Sequence, residues 1–225
     1  MSPFKILIVK DLYIGIIILL ISFAIGIIKY MRKALINRKT KETEIKIDLN
    51  IDGKGKSESS TSIPFLDHLL ENFAKHGLFD LKIKAKGDIE IDQHHTVEDI
   101  GICLGEAFKK ALGDKKGINR AGYFVFPLDE SLSVVSLDLS GRSYLNFDCK
   151  FKRAKIGDLD SDLIEEFFWG FVRHMEATIH IKALYGKNDH HKAESLFKAF
   201  GKSMKTACSK DKRIMKELPS TKGLI

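Results

Sequence analysis

A pattern that occurs twice restricts the fold of this 225-residue chain more than any other feature. An HHxxE motif lies in DQHHTVED (92–99) and again in NDHHKAE (188–194), so that both histidines and the glutamate recur after 96 residues. Upstream of each motif, His76 and His174 are 98 residues apart. Chance does not readily explain four residues that recur at nearly the same spacing. The pattern therefore predicts an internal duplication.

The segments around the first motif predict strands and helices in a defined order. Residues 42–51 and 79–85 alternate apolar and polar side chains, which is typical of half-buried strands. Residues 63–76 and 94–112 have apolar residues at helical spacing, and Pro64 suits a first helical turn. The first half therefore reads as strands with two helices.

The second half repeats this order, with a helix, a strand and a helix over 163–175, 177–186 and 190–208. Strand-like residues lie between the halves, around PLDES at 127–131. We predict an α+β fold of two pseudo-repeats, about 40–125 and 126–208, each with two helices on one face of a mostly antiparallel sheet. Residues 209–225 form a C-terminal tail.

An uncharged segment, LYIGIIILLISFAIGII (12–28), precedes the predicted α+β body. Seventeen uncharged, mostly apolar residues lie at the lower limit for a membrane-spanning helix. The heavier positive charge follows the segment, so an anchor would leave the body in the cytoplasm. Three interpretations of residues 1–30 stay open: a membrane anchor, a buried apolar helix, and a start codon assigned too far upstream of Met31. The body is accordingly expected over 31–225.

The net charge of +7 does not indicate a nucleic-acid partner. Residues 1–40 contain seven Lys or Arg and one acid, which leaves only +1 for the other 185 residues. A protein that binds the phosphate backbone needs a concentrated basic face. The three cysteines, Cys103, Cys149 and Cys208, are far apart and form no CxxC, so a reducing cytoplasm is expected.

Each HHxxE motif places imidazole and carboxylate groups on one helix face, because the residues are three or four apart. This donor set suits Mn, Fe, Zn or Ni. A single pair would equally suit a helix cap or a surface pair, but two matched copies favour metal binding. Adjacent helical residues point about 100° apart. We therefore expect two metal sites per chain, each completed by the other repeat or by a neighbouring subunit.

The motifs resemble those of the imidazoleglycerol-phosphate dehydratase family, in order and spacing, from Arg38 to Leu224. The matching pieces are RKTKET, STSIPFLDHLL, KHGLFDL, GDIEIDQHHTVEDIGICLGEAF, GINRAG, PLDES, DLSGR, IHI, GKNDHHKAESLFKA and LPSTKG. The resemblance implies the ribosomal protein S5 domain 2-like fold. It also implies dehydration of D-erythro-1-(imidazol-4-yl)glycerol 3-phosphate to 3-(imidazol-4-yl)-2-oxopropyl phosphate in L-histidine biosynthesis.

The resemblance further implies two Mn²⁺ per subunit and a hollow homo-oligomer of 24 subunits, with the metal sites at subunit boundaries. Carried over position by position, the ligands are His68, His94, His95, Glu98, His190, His191 and Glu194. The repeat alignment sets His68 against Glu166, where many family members have a histidine. Glu166 is therefore a further candidate ligand, through oxygen.

The implied reaction removes a C2 proton and the hydroxyl on the carbon beside the imidazole ring. Metal ions on the ring nitrogens would acidify the ring. The resemblance places Glu42 beside the substrate as the first candidate for proton transfer, and Glu194 is the second. Taken alone, Glu42 would equally suit a solvated strand carboxylate. The candidates for phosphate binding are Arg120, Arg142, Lys198, Ser220 and Lys222.

Other functions use the same residues. A di-metal hydrolase or isomerase could use the same ligands, and a metal-storage or metal-sensing cage could be built from the same helices. A storage cage has no need of a phosphate clamp, which disfavours that reading. A membrane-anchored scaffold would rest on residues 12–28 alone and would leave both HHxxE motifs unexplained.

Overall fold

A computed structural model describes residues 16–17 and 32–224 of the chain, which divides into two compact units, Met1–Met31 and Arg32–Ile225. The predicted apolar helix over 12–28 lies outside the described residues, except for the helical, exposed Ile16 and Ile17. Within the described residues, no helix has the length and apolar character needed to cross a membrane.

The unit from Arg32 onward consists of two halves with the same order of elements. The first half contains β1 (Lys33–Lys39), β2 (Thr43–Asn50), β3 (Ser57–Ser60), α1 (Pro64–Gly77), β4 (Asp80–Gly87) and α2 (His94–Leu112). The second half contains β5 (Ala121–Leu128), β6 (Ser131–Asp138), β7 (Tyr144–Asp148), the short hairpin β8 (Lys155–Ile156) and β9 (Leu159–Asp160), α3 (Leu163–Met175), β10 (Thr178–Tyr185) and α4 (Asp189–Cys208).

The two main sheets also share one topology. Their strand orders are β1-β2-β4-β3 and β5-β6-β10-β7. In the first sheet β3 pairs parallel with β4, and in the second β7 pairs parallel with β10. The other pairings in both sheets are antiparallel. The predicted α+β class, with two sheet-and-helix repeats, is confirmed at this level.

Two boundaries differ from the prediction. The second half starts at Ala121, not near residue 126, because β5 pairs with β6 from Ala121↔Asp138 onward and cannot be divided. The first half starts at Lys33, since β1 pairs with β2 along its whole length. Strands β1, β3 and β7 were not predicted, because β1 and β3 lack a clean alternation of apolar and polar side chains and β7 has only five residues.

The core lies between the inner faces of the sheets and the helices. Alternate residues of β2, such as Ile45, Ile47 and Leu49, are buried, as the alternation predicted. Helix α2 packs on α3, and α4 packs on α1. Glycines permit both approaches: a Cβ on Gly105 would lie 3.0 Å from Met175 N, and one on Gly201 would lie 3.0 Å from Gly77 N.

The C-terminal tail lies along the connection between the halves. Asn119 N donates to Ser209 O at 2.8 Å, and Gly117 N donates to Glu217 O at 2.9 Å. The Arg120 guanidinium donates from Nη1 to Pro219 O at 2.9 Å. These bonds bring residues 220–224 to the corner at the start of β5.

Candidate functional site

Helices α1 and α4 bring together a cluster of three predicted metal ligands, His68, His190 and Glu194. One ligand atom of each lies within 4.8 Å of the others. His190 Nε2 is 3.3 Å from Glu194 Oε2, and His68 Nε2 is 3.7 Å from Glu194 Oε1. Among residues 32–224, no other triad of potential ligands meets this distance criterion. Two imidazoles and a carboxylate, from opposite halves of the chain, fit a divalent transition metal.

Glu194 is held as a carboxylate within this cluster. Burial opposes its ionisation, but the Lys198 ammonium, 2.6 Å from Oε1, holds the pKa of the carboxyl below its ordinary value. The charges of His68 and His190 act in the same direction when these rings are protonated. Lys198 therefore pairs with a predicted metal ligand, and both side chains are mostly buried.

The first HHxxE motif forms a looser arrangement at the start of α2. His94 Nε2 lies 3.7 Å from Glu98 Oε2, four residues later. His95 faces away from this pair, with the two rings nearly perpendicular. His95 Nδ1 lies 3.2 Å from Asp88 Oδ2 and 4.0 Å from Glu42 Oε2. Bonding to Asp88 raises the pKa of His95.

The second motif separates its histidines in the same way. While His190 joins the cluster, His191 Nδ1 lies 2.7 Å from Glu130 Oε2. Glu130 also accepts from the backbone N–H groups of Asn188, at 2.8 Å, and Lys187, at 3.2 Å. The bond to His191 is the largest cause that lowers the pKa of Glu130, to about 2. The same bond raises the pKa of His191.

Glu130 was missed as a candidate from the sequence. A signal was available, because the two glutamates occupy the same place in their halves. Glu130 immediately precedes β6 and Glu42 immediately precedes β2, each in the short turn after the first strand of its half. The spacing between the two glutamates is 88 residues, unlike the 96 and 98 found around the helices, so the motif comparison did not align them.

Four of the five predicted phosphate-binding residues, all except Lys198, line a cavity of about 440 Å³ at the tail. Its lining comprises Arg120, Ser140, Gly141, Arg142, Ser220, Thr221, Lys222 and Leu224. Arg120 is already engaged: Nε and Nη2 donate to the two carboxylate oxygens of Asp138 at 2.7 and 2.9 Å. The bond from Nη1 to Pro219 O positions the tail. Because each terminal nitrogen keeps one free N–H, Arg120 also retains some capacity to donate.

The structure does not bring all predicted residues into one place. Glu166, half-buried on α3, is not a member of the cluster. Lys198 lies with Glu194 and not in the cavity at the tail. His190 lies at the start of α4, whereas Arg120 N bonds to Ala207 O near its end, at 2.9 Å. Seventeen helical residues separate these positions, about 25 Å.

The two α+β halves, the histidine–glutamate cluster at their junction and the cationic cavity define an α+β enzyme. The family model of imidazoleglycerol-phosphate dehydratase matches residues 61–204. Curated relatives called imidazoleglycerol-phosphate dehydratase, from Koribacter versatilis and Hydrogenovibrio crunogenus, are each 55% identical over 87% of this chain and 100% of their own. The chain belongs to the imidazoleglycerol-phosphate dehydratase family, as its motifs predicted.

Solved structures support the same assignment. The enzyme from Pyrococcus furiosus, crystallised with (S)-C348, is 38% identical, with a TM-score of 0.74 over 84% of this chain and 100% of that one. The enzyme from Staphylococcus aureus is 35% identical, with a TM-score of 0.70 over 79% of this chain and 99% of its own. At these identities the likeness includes sequence as well as fold.

Proposed function

We propose that this protein converts D-erythro-1-(imidazol-4-yl)glycerol 3-phosphate to 3-(imidazol-4-yl)-2-oxopropyl phosphate, a step of L-histidine biosynthesis in the cytoplasm. The observation that carries the proposal is 55% identity to imidazoleglycerol-phosphate dehydratases along their full length. The reaction removes the C2 proton and the hydroxyl of C1, the carbon attached to the ring, as water, and the enol that remains becomes a ketone.

Two Mn²⁺ per subunit form part of the proposal. The donor set of His68, His190 and Glu194 fits one such ion, because imidazole and carboxylate together suit manganese. A second would be held by His94 and Glu98, with an oxygen from Glu166. Further imidazoles would come from His95 and His191, the second histidine of each motif. When bound, Mn²⁺ would supply Lewis acidity at the nitrogens of the substrate ring.

Glu42 is the better of the two candidates for proton transfer. Glu194 is surrounded by His68, His190 and Lys198, so its lone pairs are already engaged. Glu42 has an exposed carboxylate in the β1–β2 turn, with its nearest ionisable partner, His95, 4.0 Å away. An unengaged carboxylate beside predicted ligands can accept the C2 proton and later release it.

The cavity at the tail is proposed as the phosphate site. Arg142 and Lys222 supply positive charge, and Ser220 supplies a hydroxyl donor. Arg120 keeps the tail in place through Pro219 O and contributes its remaining N–H groups. Lys198, mostly buried against Glu194, could reach the phosphate only by leaving that ion pair.

These placements require more than one subunit. About 25 Å of helix α4 separates the cluster at His190 from the end that Arg120 contacts. An imidazole ring on a three-carbon phosphate is far shorter than this. The cluster of one subunit and the cavity of another would therefore meet around one substrate, in the homo-oligomer of 24 subunits that the family resemblance implies.

The test uses the full-length chain, stripped of metal and then supplied with Mn²⁺. We expect Mn²⁺-dependent formation of 3-(imidazol-4-yl)-2-oxopropyl phosphate in the wild type, and loss of most turnover in His190→Ala. His180→Ala is the matched control, because His180 is exposed on β10 and outside the cluster. Folded, Mn²⁺-loaded protein without turnover would contradict the proposal and favour another di-metal reaction.

A further inference from the structure

The second half contains a segment that the first half lacks. Residues 149–162, which we call the strap, connect β7 to α3, whereas residues 61–63 alone connect β3 to α1 in the first half. Within the strap, β8 and β9 pair as a hairpin, and their apolar residues Ile156 and Leu159 are buried in the core. The strap is therefore a folded insertion and not a loose loop.

The turn of the strap contacts the start of α1. Ile63, at the N-cap position, provides no side-chain cap. Phe65 N donates instead to Asp158 Oδ1 at 2.9 Å. A carboxylate at this position satisfies a free helix N–H and interacts favourably with the helix dipole. The Phe65 ring centroid lies 5.0 Å from that of His190 and 6.2 Å from that of His68. The residue that Asp158 caps therefore lies beside two members of the cluster.

The strap also contacts the start of α2. Gln93, immediately before His94, donates from Nε2 to Asp158 O at 2.8 Å. Its Oε1 accepts from Asp160 N at 3.3 Å. This side chain therefore uses both ends of its amide on the backbone of one hairpin. The bonds fix the strap relative to the residue that begins the first HHxxE motif.

A third set of contacts ties the strap to the start of α4. Asp189 Oδ2 accepts from Lys152 N at 2.8 Å and from Arg153 N at 2.9 Å. Its Oδ1 lies 2.6 Å from Lys192 Nζ, which also donates to Lys150 O, and both charged side chains are at least 95% buried. A buried pair of this kind is costly to break from one side, so it defines one geometry. Asp189 and Gln93 occupy equivalent positions, 96 residues apart.

We propose that the strap is a positioning device for the metal ligands. It holds the starts of α1, α2 and α4, which carry His68, His94 and His190, at fixed separations. Asp158, Gln93 and Asp189 are then positioning residues, which act through the helices and not on the substrate. A metal site needs its donors fixed within a fraction of an ångström, and the strap adds hydrogen bonds at the helix starts to the packing of α1 on α4 and of α2 on α3. The inference rests on the metal binding that the proposed function includes.

The test compares three variants of the full-length protein, stripped of metal and titrated with Mn²⁺ by electron paramagnetic resonance. Asp158→Ala should weaken Mn²⁺ binding about tenfold, the lower end of the effect of supporting residues at metal sites, and should change the spectrum of the bound ion. Asp158→Asn keeps an oxygen acceptor for Phe65 N and should restore both. Asp160→Ala is the control, since its side chain pairs with Lys155 within the strap, at 3.4 Å.

Equal Mn²⁺ affinity and spectra in Asp158→Ala and Asp160→Ala would overturn the inference, whatever their thermal stability. Absence of Mn²⁺ binding by the wild type would overturn it as well. If Asp158→Ala does not fold, Gln93→Ala replaces it and should weaken Mn²⁺ binding by a similar factor. Wild-type protein that binds Mn²⁺ without dehydratase turnover would contradict the proposed function only, because the strap is judged by metal affinity.

Discussion

The two halves contain the same backbone corner but differ in the side chains around it. At this corner, the residue after the second strand of the half donates a hydrogen bond to the arginine before the first strand. Ile51 N donates to Arg32 O at 3.0 Å where β2 ends, and Leu139 N donates to Arg120 O at 3.1 Å where β6 ends. Each arginine then forms a two-bond pair with one aspartate. In the first half that aspartate is Asp52, which immediately follows Ile51.

The residues after each corner decide what it can bind. Asp52 and Lys54 of the first half stand where Ser140 and Arg142 stand in the second. A carboxylate at the first of these positions repels an anion, whereas a hydroxyl can donate to one. The tail adds Lys222 only to the second corner. Both copies therefore contain the corner and an arginine–aspartate pair, but only the second is surrounded by the cationic and hydroxyl groups of the cavity.

The turns between the first two strands of each half differ in the same manner. Glu130 is fixed by His191 and two backbone N–H groups, and its pKa is lowered to about 2. Among the described residues, the Glu42 carboxylate has no such fixed partners. Its ionisable neighbour His95 is 4.0 Å away. One copy thus orients a histidine, and the other is available for chemistry.

The largest expected difference between the halves concerns these two glutamates. Glu42→Gln should lower kcat about a thousandfold, within the range for loss of a general acid or base. Glu130→Gln should weaken Mn²⁺ binding about tenfold, because it removes a charged partner of His191. Steady-state kinetics at saturating Mn²⁺, with a Mn²⁺ titration alongside, separates the two effects. Equal losses of kcat at saturating metal would show that both copies serve the same role.

A smaller difference is expected at the two corners. Arg142→Ala should lower kcat/KM about 100-fold, or about 2.7 kcal/mol, because it removes a charged donor from the phosphate cavity. Lys54→Ala, at the equivalent position of the first half, should change kcat/KM by no more than about twofold, as expected for an exposed charge. Inhibition by inorganic phosphate should weaken only in Arg142→Ala. A comparable loss in Lys54→Ala would indicate that the first corner also binds an anion.

The helices could be predicted closely because their apolar spacing matches the faces they bury. Helix α3, for example, spans the predicted residues Leu163–Met175. The pairing of His190 with Glu194 followed from their spacing on one helix, but no local pattern links His68 to them, and only the family resemblance suggested it. Strands at sheet edges were missed, since β3, SESS, has no apolar residue to mark a buried face.

The strap could not be predicted for a different reason. It has no counterpart in the first half, so the comparison of repeats passed over it. Its strands are two residues each, too short for a periodicity to be detected. Its contacts also join residues that are far apart in sequence. Asp158 is 93 positions from Phe65, and Asp189 is 37 positions from Lys152, so no local sequence pattern predicts either contact.

The smallest expected effect tests whether the halves pack alike. Gly105→Ala and Gly201→Ala should each destabilise the protein by about 1–2 kcal/mol, since the new Cβ would lie 3.0 Å from a backbone nitrogen of the neighbouring helix and closer still to a carbonyl oxygen. Helix propensity acts in the opposite direction, because alanine is favoured over glycine by about 1 kcal/mol. A net loss would therefore mean that the close approach of the helices outweighs propensity.

Chemical denaturation of the metal-free protein measures both changes, with Lys205→Ala on the exposed side of α4 as the control, expected within about 0.5 kcal/mol of the wild type. Equal losses would indicate that both helix contacts are equally rigid, so that the differences between the halves lie in their corners, turns and strap. A stabilised Gly201→Ala beside a destabilised Gly105→Ala would instead locate a looser contact between α1 and α4. Since those helices carry His68 and His190, the separation of the ligands would then depend more on the bonds of the strap to the helix starts.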